Sequence, residues 1–396
     1  MTHRPGRWLA PAALALSATL ALTACGGTSS SSSTSGAASR LKIGMVAALS
    51  GVYQSIGTDM RDGFQLYLDQ HNGQLGGHPI DLVVADEGAG AATAAPAATK
   101  LIKQDKVLAL TGLVGGDSVA AVAPLTTAAK IPLLGSNARP GLKDFGMVWT
   151  TSFGSLDPGQ AIAKYVLEHA NGPVYAIGPD YQGGWDELKG FTDTYAALGG
   201  KLANPTGKTV WTPFPTTTNF LPYLSDIAAS GAKAIYTFYA GGAAIAFVKQ
   251  WAQSDAKNIP LYGAGFLTEG GVLGAEGTAA NGVFTVLNYS PDLDNSTNRA
   301  FVAGWRAKHD GPPTTYAMAS YDAAAILDKA IAGIKGTVTP DAINSQIAAL
   351  GQIDSPRGQW QFNAQHAPVQ KWYLRKVGTD GRALSNLLIQ DLNTIG

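Results

Sequence analysis

Cysteine and charged residues are both scarce in this chain. A single Cys among 396 residues excludes a disulfide framework and any zinc site built on several cysteines. Charged residues make up 14% of the chain, well below the roughly 25% of an average soluble domain. Basic and acidic residues balance at 28 each, which disfavours a nucleic-acid-binding protein, since that class is normally basic. At roughly 100–200 residues per domain, the length predicts two to three domains.

Motifs for catalysis, phosphate binding and metal binding are also missing. Residues 207–209 (Gly-Lys-Thr) match the end of a phosphate-binding loop, but Leu202 stands where that motif needs its first glycine. The chain contains no Gly-x-Ser-x-Gly and no His-Glu-x-x-His, and its histidines lack metal-ligand spacing. Asp86 and Glu87 are interpreted as a solvated loop, because adjacent residues of an extended segment point to opposite faces. We therefore predict no enzymatic activity, no cofactor and no metal.

The amino-terminal residues have the pattern of an export signal. Arg4 and Arg7 precede an apolar run over 8–22 that is too short for a comfortable membrane span. Residues 22–25 (Leu-Thr-Ala-Cys) resemble a bacterial lipobox, which implies cleavage after residue 24 and lipidation of Cys25. The alternative is an ordinary secretory signal with a chance cysteine. We predict a lipoprotein signal peptide over 1–24, then a lipidated Cys and flexible Gly/Ser tether over 25–39.

From residue 41 onward, apolar strand-like runs alternate with amphipathic helical patterns. The first unit has predicted strands over 41–49, 80–85, 107–111 and 132–134, separated by helices over 58–71, 91–104 and 117–129. The pattern restarts with a helix over 158–169, followed by strands over 174–177, 208–211, 234–238, 260–264 and 282–287 and by a β-rich tail. Such alternation indicates α/β units, each with a parallel sheet covered on both faces by helices.

Turns rich in Gly, Ser and Asn follow three strands of the first unit, at residues 50–51, 112–118 and 136–139. Ligands of open α/β sheets bind in the crevice outside the carboxyl ends of the strands. A helix beginning near Gly116 offers free backbone N–H groups and a partial positive charge, which suit a carboxylate. Each turn taken alone reads as capping chemistry, but three at one edge favour a binding site.

Several segments, in their order and spacing, resemble the solute-binding proteins of branched-chain amino-acid ABC transporters, the leucine/isoleucine/valine-binding protein-like family. They are residues 42–51 (KIGMVAALSG), 72–77 (Asn-Gly-x-x-Gly-Gly), 319–323 (ASYDA) and 357–362 (Arg-Gly-x-x-x-Phe). The resemblance spans about residues 41–390. It implies a type I periplasmic binding protein fold, with two Rossmann-like lobes of parallel sheet joined by a three-strand hinge.

The resemblance also implies the domain boundaries. Lobe 1 is expected at 41–153 plus 291–353, and lobe 2 at 157–286 plus 357–396. The three crossovers then fall near 153–157, 286–291 and 353–357. The lobes are expected to close by hinge motion on a ligand bound between them.

In lobe 1 the resemblance assigns ligand contacts to the turns after three strands. The expected residues are Ser50 and Tyr53 after the first strand, Gly115, Gly116 and Ser118 after the third, and Asn137 and Arg139 after the fourth. The family often binds the ligand carboxylate through a Ser where this chain has two glycines, so backbone N–H groups and the Ser118 hydroxyl are the candidates. Arg139 is either a bidentate carboxylate partner or a solvated loop cation.

In lobe 2 the resemblance assigns mainly aromatic contacts: Tyr181, Trp185, Tyr239, Phe266 and Tyr316. The alternative is that at least two of them belong to the core. Gly183 replaces an aromatic residue that is frequent in the family, which predicts a wider pocket. Amino-acid binders place a Glu for the ligand ammonium where this chain has Gly265-Phe266, and Glu269 could substitute only if its loop folds back. An unpaired ammonium costs several kcal/mol, so branched-chain amino acids are predicted to be poor ligands.

The resemblance and the lipobox together imply an extracytoplasmic solute-binding lipoprotein of an ABC importer. It would be a monomer, anchored through Cys25 at the outer face of the cytoplasmic membrane. It would capture a small amino acid or organic carboxylate and deliver it to the permease subunits, without binding nucleic acid. The alternatives are a ligand-sensing receptor domain of the same fold and a binder specific for aromatic carboxylates rather than branched-chain amino acids. A secreted enzyme is disfavoured because no catalytic constellation is visible.

Overall fold

The computed structural model describes residues 40–381 and 383–396, so the expected signal peptide, Cys25 and the tether lie outside the described residues. None of the described helices is long and apolar enough to cross a membrane. The helices are α1 Gln54–Gln70, α2 Ala91–Lys100, α3 Gly116–Ala129, α4 Asp157–His169, α5 Gln182–Ala197, α6 Leu221–Ala229, α7 Gly241–Gln253, α8 Gly271–Glu276, α9 Ser296–Arg306, α10 Thr315–Ala332 and α11 Pro340–Ala349.

The strands alternate with these helices through most of the chain and then run consecutively at its end. They are β1 Leu41–Ala47, β2 Gln74–Leu75, β3 His78–Asp86, β4 Ala109–Gly112, β5 Leu133–Gly135, β6 Ala138–Arg139, β7 Val148–Thr150, β8 Phe153–Gly154, β9 Val174–Pro179, β10 Val210–Thr212, β11 Ala234–Thr237, β12 Leu261–Ala264, β13 Phe284–Leu287, β14 Gln361–Phe362, β15 Pro368–Thr379 and β16 Leu384–Ile395.

The first sheet has the strand order β2-β3-β1-β4-β5-β7, and its neighbours from β3 to β7 run parallel. The central strand β1 is apolar because both of its faces are covered. Ile43 and Met45 pack with Phe64 of α1, whereas Val46 packs on the other face with Val119 of α3. Successive side chains of a strand alternate between faces, so a continuous apolar run is what a doubly covered strand requires.

The second sheet has the order β10-β9-β11-β12-β13-β15-β14, and β16 pairs with β15. Strands β9 to β13 are parallel, while β15 runs antiparallel to β13 and β16 antiparallel to β15. The β-rich tail predicted from the sequence therefore extends this sheet. The prediction of two α/β units with parallel sheets is confirmed, and this arrangement agrees with the type I periplasmic binding protein fold that the resemblance implies.

Some local features were not predicted from the sequence. The β-rich tail ends in a long strand, Leu384–Ile395, because this strand pairs along most of β15. The short parallel pair β6–β8 was not predicted at all. Two-residue strands carry no periodicity, so the sequence holds no signal for them.

A buried polar cluster centred on Arg357 lies where the chain passes between the two sheets. Arg357 is 2% exposed, and its Nη1 donates to the Ser152 carbonyl at 3.1 Å and to Gln370 Oε1 at 2.6 Å. Asn288 Nδ2 donates to the same Ser152 carbonyl at 3.1 Å and to Gln370 Oε1 at 3.0 Å. Segments that follow β7, β13 and α11 are thus tied together at one carbonyl oxygen.

The cluster contains a buried ion pair between Arg357 Nη2 and Asp322 Oδ2, which are 2.9 Å apart. Burial raises the pKa of Asp322, and the guanidinium of Arg357 opposes that shift. Both side chains are 1% exposed, so water cannot solvate a charge left alone at this position.

Arg357→Met is expected to lower the free energy of unfolding by about 3–5 kcal/mol, because Asp322 would stay buried without its cation. Urea unfolding at pH 7 measures the loss. The matched control is Lys371→Met, which removes an exposed pair with Asp391 whose side chains are 59% and 58% exposed. That control should cost at most about 1 kcal/mol. Equal losses in the two variants would contradict a structural role for the buried pair.

Candidate functional site

A cavity of about 260 Å³ lies where loops from both sheets approach each other. Pockets for drug-sized ligands typically measure roughly 300–1,000 Å³, so this cavity suits a smaller molecule. The lining residues are Tyr53, Ile56, Ala89, Val114, Gly115, Gly116, Asp117, Asn137, Ala138, Ser155, Tyr181, Gln182, Gly183, Glu187, Phe214, Phe238, Ala240 and Phe266.

Most of the lining comes from loops at the carboxyl ends of parallel strands. In the first sheet Val114 follows β4 and Asn137 follows β5. In the second sheet Tyr181 follows β9 and Phe238 follows β11. The carboxyl ends of parallel strands share one edge of a sheet, which is where ligands of open α/β folds bind.

Aromatic rings form one wall of the cavity. The rings of Tyr181 and Phe214 stack with centroids 4.4 Å apart. Phe238 lies 6.3 Å from Tyr181 and meets Phe266 edge-on, with centroids 5.7 Å apart. Such a wall offers a flat ligand ring several stacking and edge contacts.

Three helices begin at the cavity without side-chain caps. Gly115, Tyr181 and Ala240 are the N-cap residues of α3, α5 and α7, and none of them caps its helix through a side chain. The first N–H groups of a helix have no acceptor within it, and the helix dipole makes this end positive. These three helix ends therefore offer hydrogen-bond donors suited to an anionic group.

The interpretation of Asp86 and Glu87 as a solvated loop was wrong for Glu87. Asp86 is exposed and accepts hydrogen bonds from Leu49 N at 2.8 Å and from Ser50 Oγ at 2.6 Å. Glu87 is 1% exposed and accepts from the N–H groups of Val114 and Gly115 at 2.7 and 2.9 Å. The Gly115 N–H expected to hold a ligand carboxylate is therefore engaged by a carboxylate of the protein.

Six of the residues predicted from the sequence line the cavity: Tyr53, Gly115, Gly116, Asn137, Tyr181 and Phe266. The Asn137 amide is oriented because Nδ2 donates to the Val114 carbonyl at 2.8 Å. Burial raises the pKa of Tyr53 to about 12, and a side-chain hydrogen bond with Tyr181 opposes that shift. Tyr53 and Tyr181 therefore lie close together in the cavity lining, although their loops belong to different sheets.

The other six predicted residues are not among the lining residues: Ser50, Ser118, Arg139, Trp185, Tyr239 and Tyr316. Ser50 Oγ donates to Asp86, which ties the turn after β1 to the end of β3. Ser118 is fully buried in the first turn of α3, close to Glu87, whose pKa is raised by burial.

Neither expectation for Arg139, a carboxylate partner at the site or a solvated loop cation, agrees with its position. Its neighbour Ala138 lines the cavity, and consecutive residues of a strand face opposite sides. The Arg139 side chain is 6% exposed and lies 4.4 Å above the ring of Phe145, so it is not a solvated cation. Burial lowers the pKa of Arg139 to about 10, and the nearby charge of Asp157 opposes that shift.

Three predicted aromatic residues lie elsewhere for identifiable reasons. Trp185 is 45% exposed, and its Nε1 donates to Asp180 at 2.8 Å. Tyr239 is buried and shares a 3.1 Å hydrogen bond with the hydroxyl of Thr212. Tyr316 is buried behind Phe266, with ring centroids 5.7 Å apart. Tyr239 and Tyr316 are core residues, which is the alternative that the sequence left open.

Glu269 does not reach the cavity. Its Oε2 pairs with Arg375 Nη1 at 2.9 Å, and its Oε1 accepts from the N–H of Thr315 at 2.8 Å. Within the part of the chain that the structure describes, the charged lining residues are Asp117 and Glu187, with no lysine or arginine. Asp117 is exposed and accepts from the N–H of Ala91 at 3.1 Å.

Glu187, Phe214 and Phe238 line the cavity but were not predicted from the sequence. Phe238 stands at the end of a predicted strand, where a pocket residue could have been expected. Glu187 lies inside α5, where a glutamate ordinarily indicates a solvated helix face. It is 2% exposed, and its Oε1 accepts from the hydroxyl of Tyr236 at 2.6 Å. Nothing in the sequence around Glu187 distinguishes it from a surface residue.

A family model described as periplasmic binding protein matches residues 40–382. A solute-binding protein of an ABC transporter from R. palustris, solved with benzoate, is 32% identical; the match covers 88% of this chain and 96% of that one, with a TM-score of 0.80. Another from R. palustris, solved with 4-hydroxybenzoate, is 27% identical over 90% and 98% of the two chains, with a TM-score of 0.82. The Leu/Ile/Val-binding protein homolog 6 of Brucella melitensis is 27% identical over 85% of this chain and 87% of its own length.

Asp59 of α1 is a largely buried carboxyl group near Glu269 and the start of α10, and the effect of its burial can be tested through the pH dependence of stability. Thr314 Oγ1 donates to Asp59 Oδ2 at 2.8 Å. Burial raises the pKa of Asp59 from 3.8 to about 7, and the Thr314 hydrogen bond opposes that shift. The folded protein then holds a proton that the unfolded chain has released between these values, so stability falls as pH rises through this window.

Asp59→Asn should remove this loss of stability at rising pH, because the amide side chain does not titrate. The free energy of unfolding of the variant is expected to match wild type near pH 4 and to exceed it above pH 7 by up to about 4 kcal/mol. Urea unfolding at about pH 4.5 and about pH 8 measures both differences in stability, because these conditions lie near the two ends of the window between the unfolded and the folded pKa. Asp391→Asn, at an exposed position, should follow wild type at both pH values. Parallel pH profiles for Asp59→Asn and wild type would contradict the raised pKa.

Proposed function

Because this chain belongs to the periplasmic binding protein family, we propose that it binds a small aromatic carboxylate in the cavity described above and delivers it to an ABC permease. One observation carries the proposal: aromatic rings and three uncapped helix N-termini converge on a single cavity. The rings suit a flat apolar group, and the helix ends suit a carboxylate. The solved relatives with benzoate and 4-hydroxybenzoate support this class of ligand.

Amino-acid ligands are disfavoured by the position of Glu269. Its carboxylate is already neutralised by Arg375, so it offers no counter-charge to a ligand ammonium. Asp117, the acidic lining residue on the first-sheet side, is exposed and already accepts from the N–H of Ala91. An ammonium enclosed without a partner is costly. Binding and release of such a ligand require no covalent step, so we propose no catalytic activity.

We further propose that the sheets belong to two lobes that close on the ligand. The boundaries are those inferred from the sequence: 41–153 plus 291–353 for lobe 1 and 157–286 plus 357–396 for lobe 2. The ligand contacts would include Tyr53, Gly116, Asn137, Tyr181 and Phe266, which line the cavity. The protein would act as a monomer, tethered through Cys25 at the outer face of the cytoplasmic membrane.

A thermal and chemical stability screen of the folded domain tests the ligand class. Benzoate or 4-hydroxybenzoate, at about 100 times its Kd, should raise the free energy of unfolding by about 2.7 kcal/mol. Leucine, isoleucine and valine should leave it unchanged at the same concentrations. Stabilisation by leucine and not by either benzoate would overturn the aromatic assignment.

A pair of glycine substitutions tests the cavity. Gly183 lines it in the first turn of α5, so Gly183→Leu should fill part of the space and weaken benzoate binding about tenfold or more. Gly242 lies in the first turn of α7, is exposed and has open space around its Cβ position. Gly242→Leu is the matched control and should bind as wild type does. Calorimetric titration of both variants measures the difference, and equal affinities would place the ligand elsewhere.

The proposed anchor is tested by Cys25→Ser in the full-length chain. Lipidation requires the thiol, so wild type should fractionate with membranes and the variant with the soluble extracytoplasmic fraction. A metabolically incorporated labelled fatty acid should mark only wild type. Membrane association of the variant equal to that of wild type would contradict the lipoprotein assignment.

A further inference from the structure

Glu187 is a buried acid on the wall of a cavity whose helix ends offer donors suited to an anion. It lies in α5, one turn beyond Gly183, and is 2% exposed. The Tyr236 hydroxyl donates to its Oε1 at 2.6 Å, which fixes the carboxyl group and leaves Oε2 for another partner. Glu187 forms no salt bridge within the described residues. A charged carboxylate in this position would repel the carboxylate of a ligand.

The surroundings of Glu187 favour its neutral form. Burial raises the pKa of Glu187 well above its usual range, and the hydrogen bond from Tyr236 opposes that shift. Asp157 of α4 and Asp186 of its own helix raise it further. The titratable groups that share the cavity with it are Tyr53, Asp117 and Tyr181. No lysine or arginine lines the described cavity, so no cation there would stabilise an ionised Glu187.

The position of Glu187 also matches the end of the cavity best suited to a ligand anion. Helical side chains lean toward the N-terminus of their helix, so the carboxyl lies on the side of Gln182 and Gly183. The first turn of α5 contains no acidic residue. The first turn of α3 contains Asp117, and the N–H of its N-cap residue is engaged by Glu87.

We propose that Glu187 keeps its proton in the binding-competent protein and donates a hydrogen bond from Oε2 to the carboxylate of the bound aromatic acid. Glu187 is then a specificity residue. It supplies a donor to a carboxylate without a counter-charge for an ammonium, so it selects carboxylates that carry no amino group. The inference rests on the proposed aromatic carboxylate ligand.

Calorimetric titration with benzoate tests the role in four proteins. In Glu187→Gln the amide oxygen can accept from Tyr236 and the amide N–H can donate, so the affinity should stay within about threefold of wild type. In Glu187→Leu the donor is lost, and the affinity should fall roughly tenfold to a hundredfold. Asp193→Asn, at an exposed position of the same helix and absent from the lining, is the matched control and should bind as wild type does.

Infrared difference spectra report the protonation state of Glu187, which a purely structural role of this residue would not determine. The spectrum of wild type minus Glu187→Gln, both with benzoate, should contain the C=O stretching band of a protonated carboxyl group. The absence of this band would overturn the proposal, and so would a tenfold or larger loss of benzoate affinity in Glu187→Gln. Thermal melts confirm that each variant is folded. If Glu187→Leu does not fold, the benzoate affinity and the infrared band of Glu187→Gln still test the proposal.

Three outcomes distinguish a failure of this inference from a failure of the proposed function. If wild type binds neither benzoate nor 4-hydroxybenzoate, the ligand class is wrong and the role of Glu187 falls with it. If wild type binds benzoate and Glu187→Leu binds it equally well, only the role of Glu187 is overturned. Leucine binding that is lost in Glu187→Gln would make Glu187 an ammonium counter-ion and would overturn both.

Discussion

The carbonyl oxygen of Ser152 accepts hydrogen bonds from three buried side chains, and the placement of the two sheets depends on it. Arg357, Asn288 and Gln370 come from separate segments of the chain, and each donates to this one atom. A carbonyl and a guanidinium buried together tolerate little displacement, because any lost partner leaves a polar group without solvent. The two sheets that carry the cavity loops are therefore joined at a buried polar junction outside the cavity, next to the crossovers about which the proposed lobes would close.

Side-chain caps are present at some helix N-termini of this protein and absent from others. Asn295, Thr314 and Thr339 cap α9, α10 and α11 with their side chains. The three helices that begin at the cavity have Gly, Tyr and Ala at that position and no side-chain cap, as is also true of α1, α2, α4, α6 and α8. A missing cap can cost about 1 kcal/mol of stability. At the cavity a bound anion can supply the missing acceptor, so ligand binding would stabilise the fold there.

Much of the fold could be predicted from the sequence, because strand β1 is continuously apolar and the strand–helix alternation is regular. The cavity was predicted only in part. The resemblance to the family pointed to Tyr181 and Phe266, but burial cannot be deduced from local sequence, so Tyr239 was mistaken for a pocket residue. Glu187 was missed because its environment depends on Tyr236, which lies on a strand distant in sequence. Sequence patterns cannot predict the role of a polar residue when that role depends on tertiary contacts.

Glu87 makes the two ends of the cavity unequal in free hydrogen-bond donors. Its carboxyl group already accepts from the N–H groups of Val114 and Gly115, so these donors at the first-sheet end are engaged within the protein. At the second-sheet end, α5 begins without a side-chain cap and without an acidic residue in its first turn. A ligand with one anionic and one apolar end therefore has a preferred direction of binding, with its anionic end toward α5. That direction is decided by a carboxyl group of the protein that the ligand need not touch.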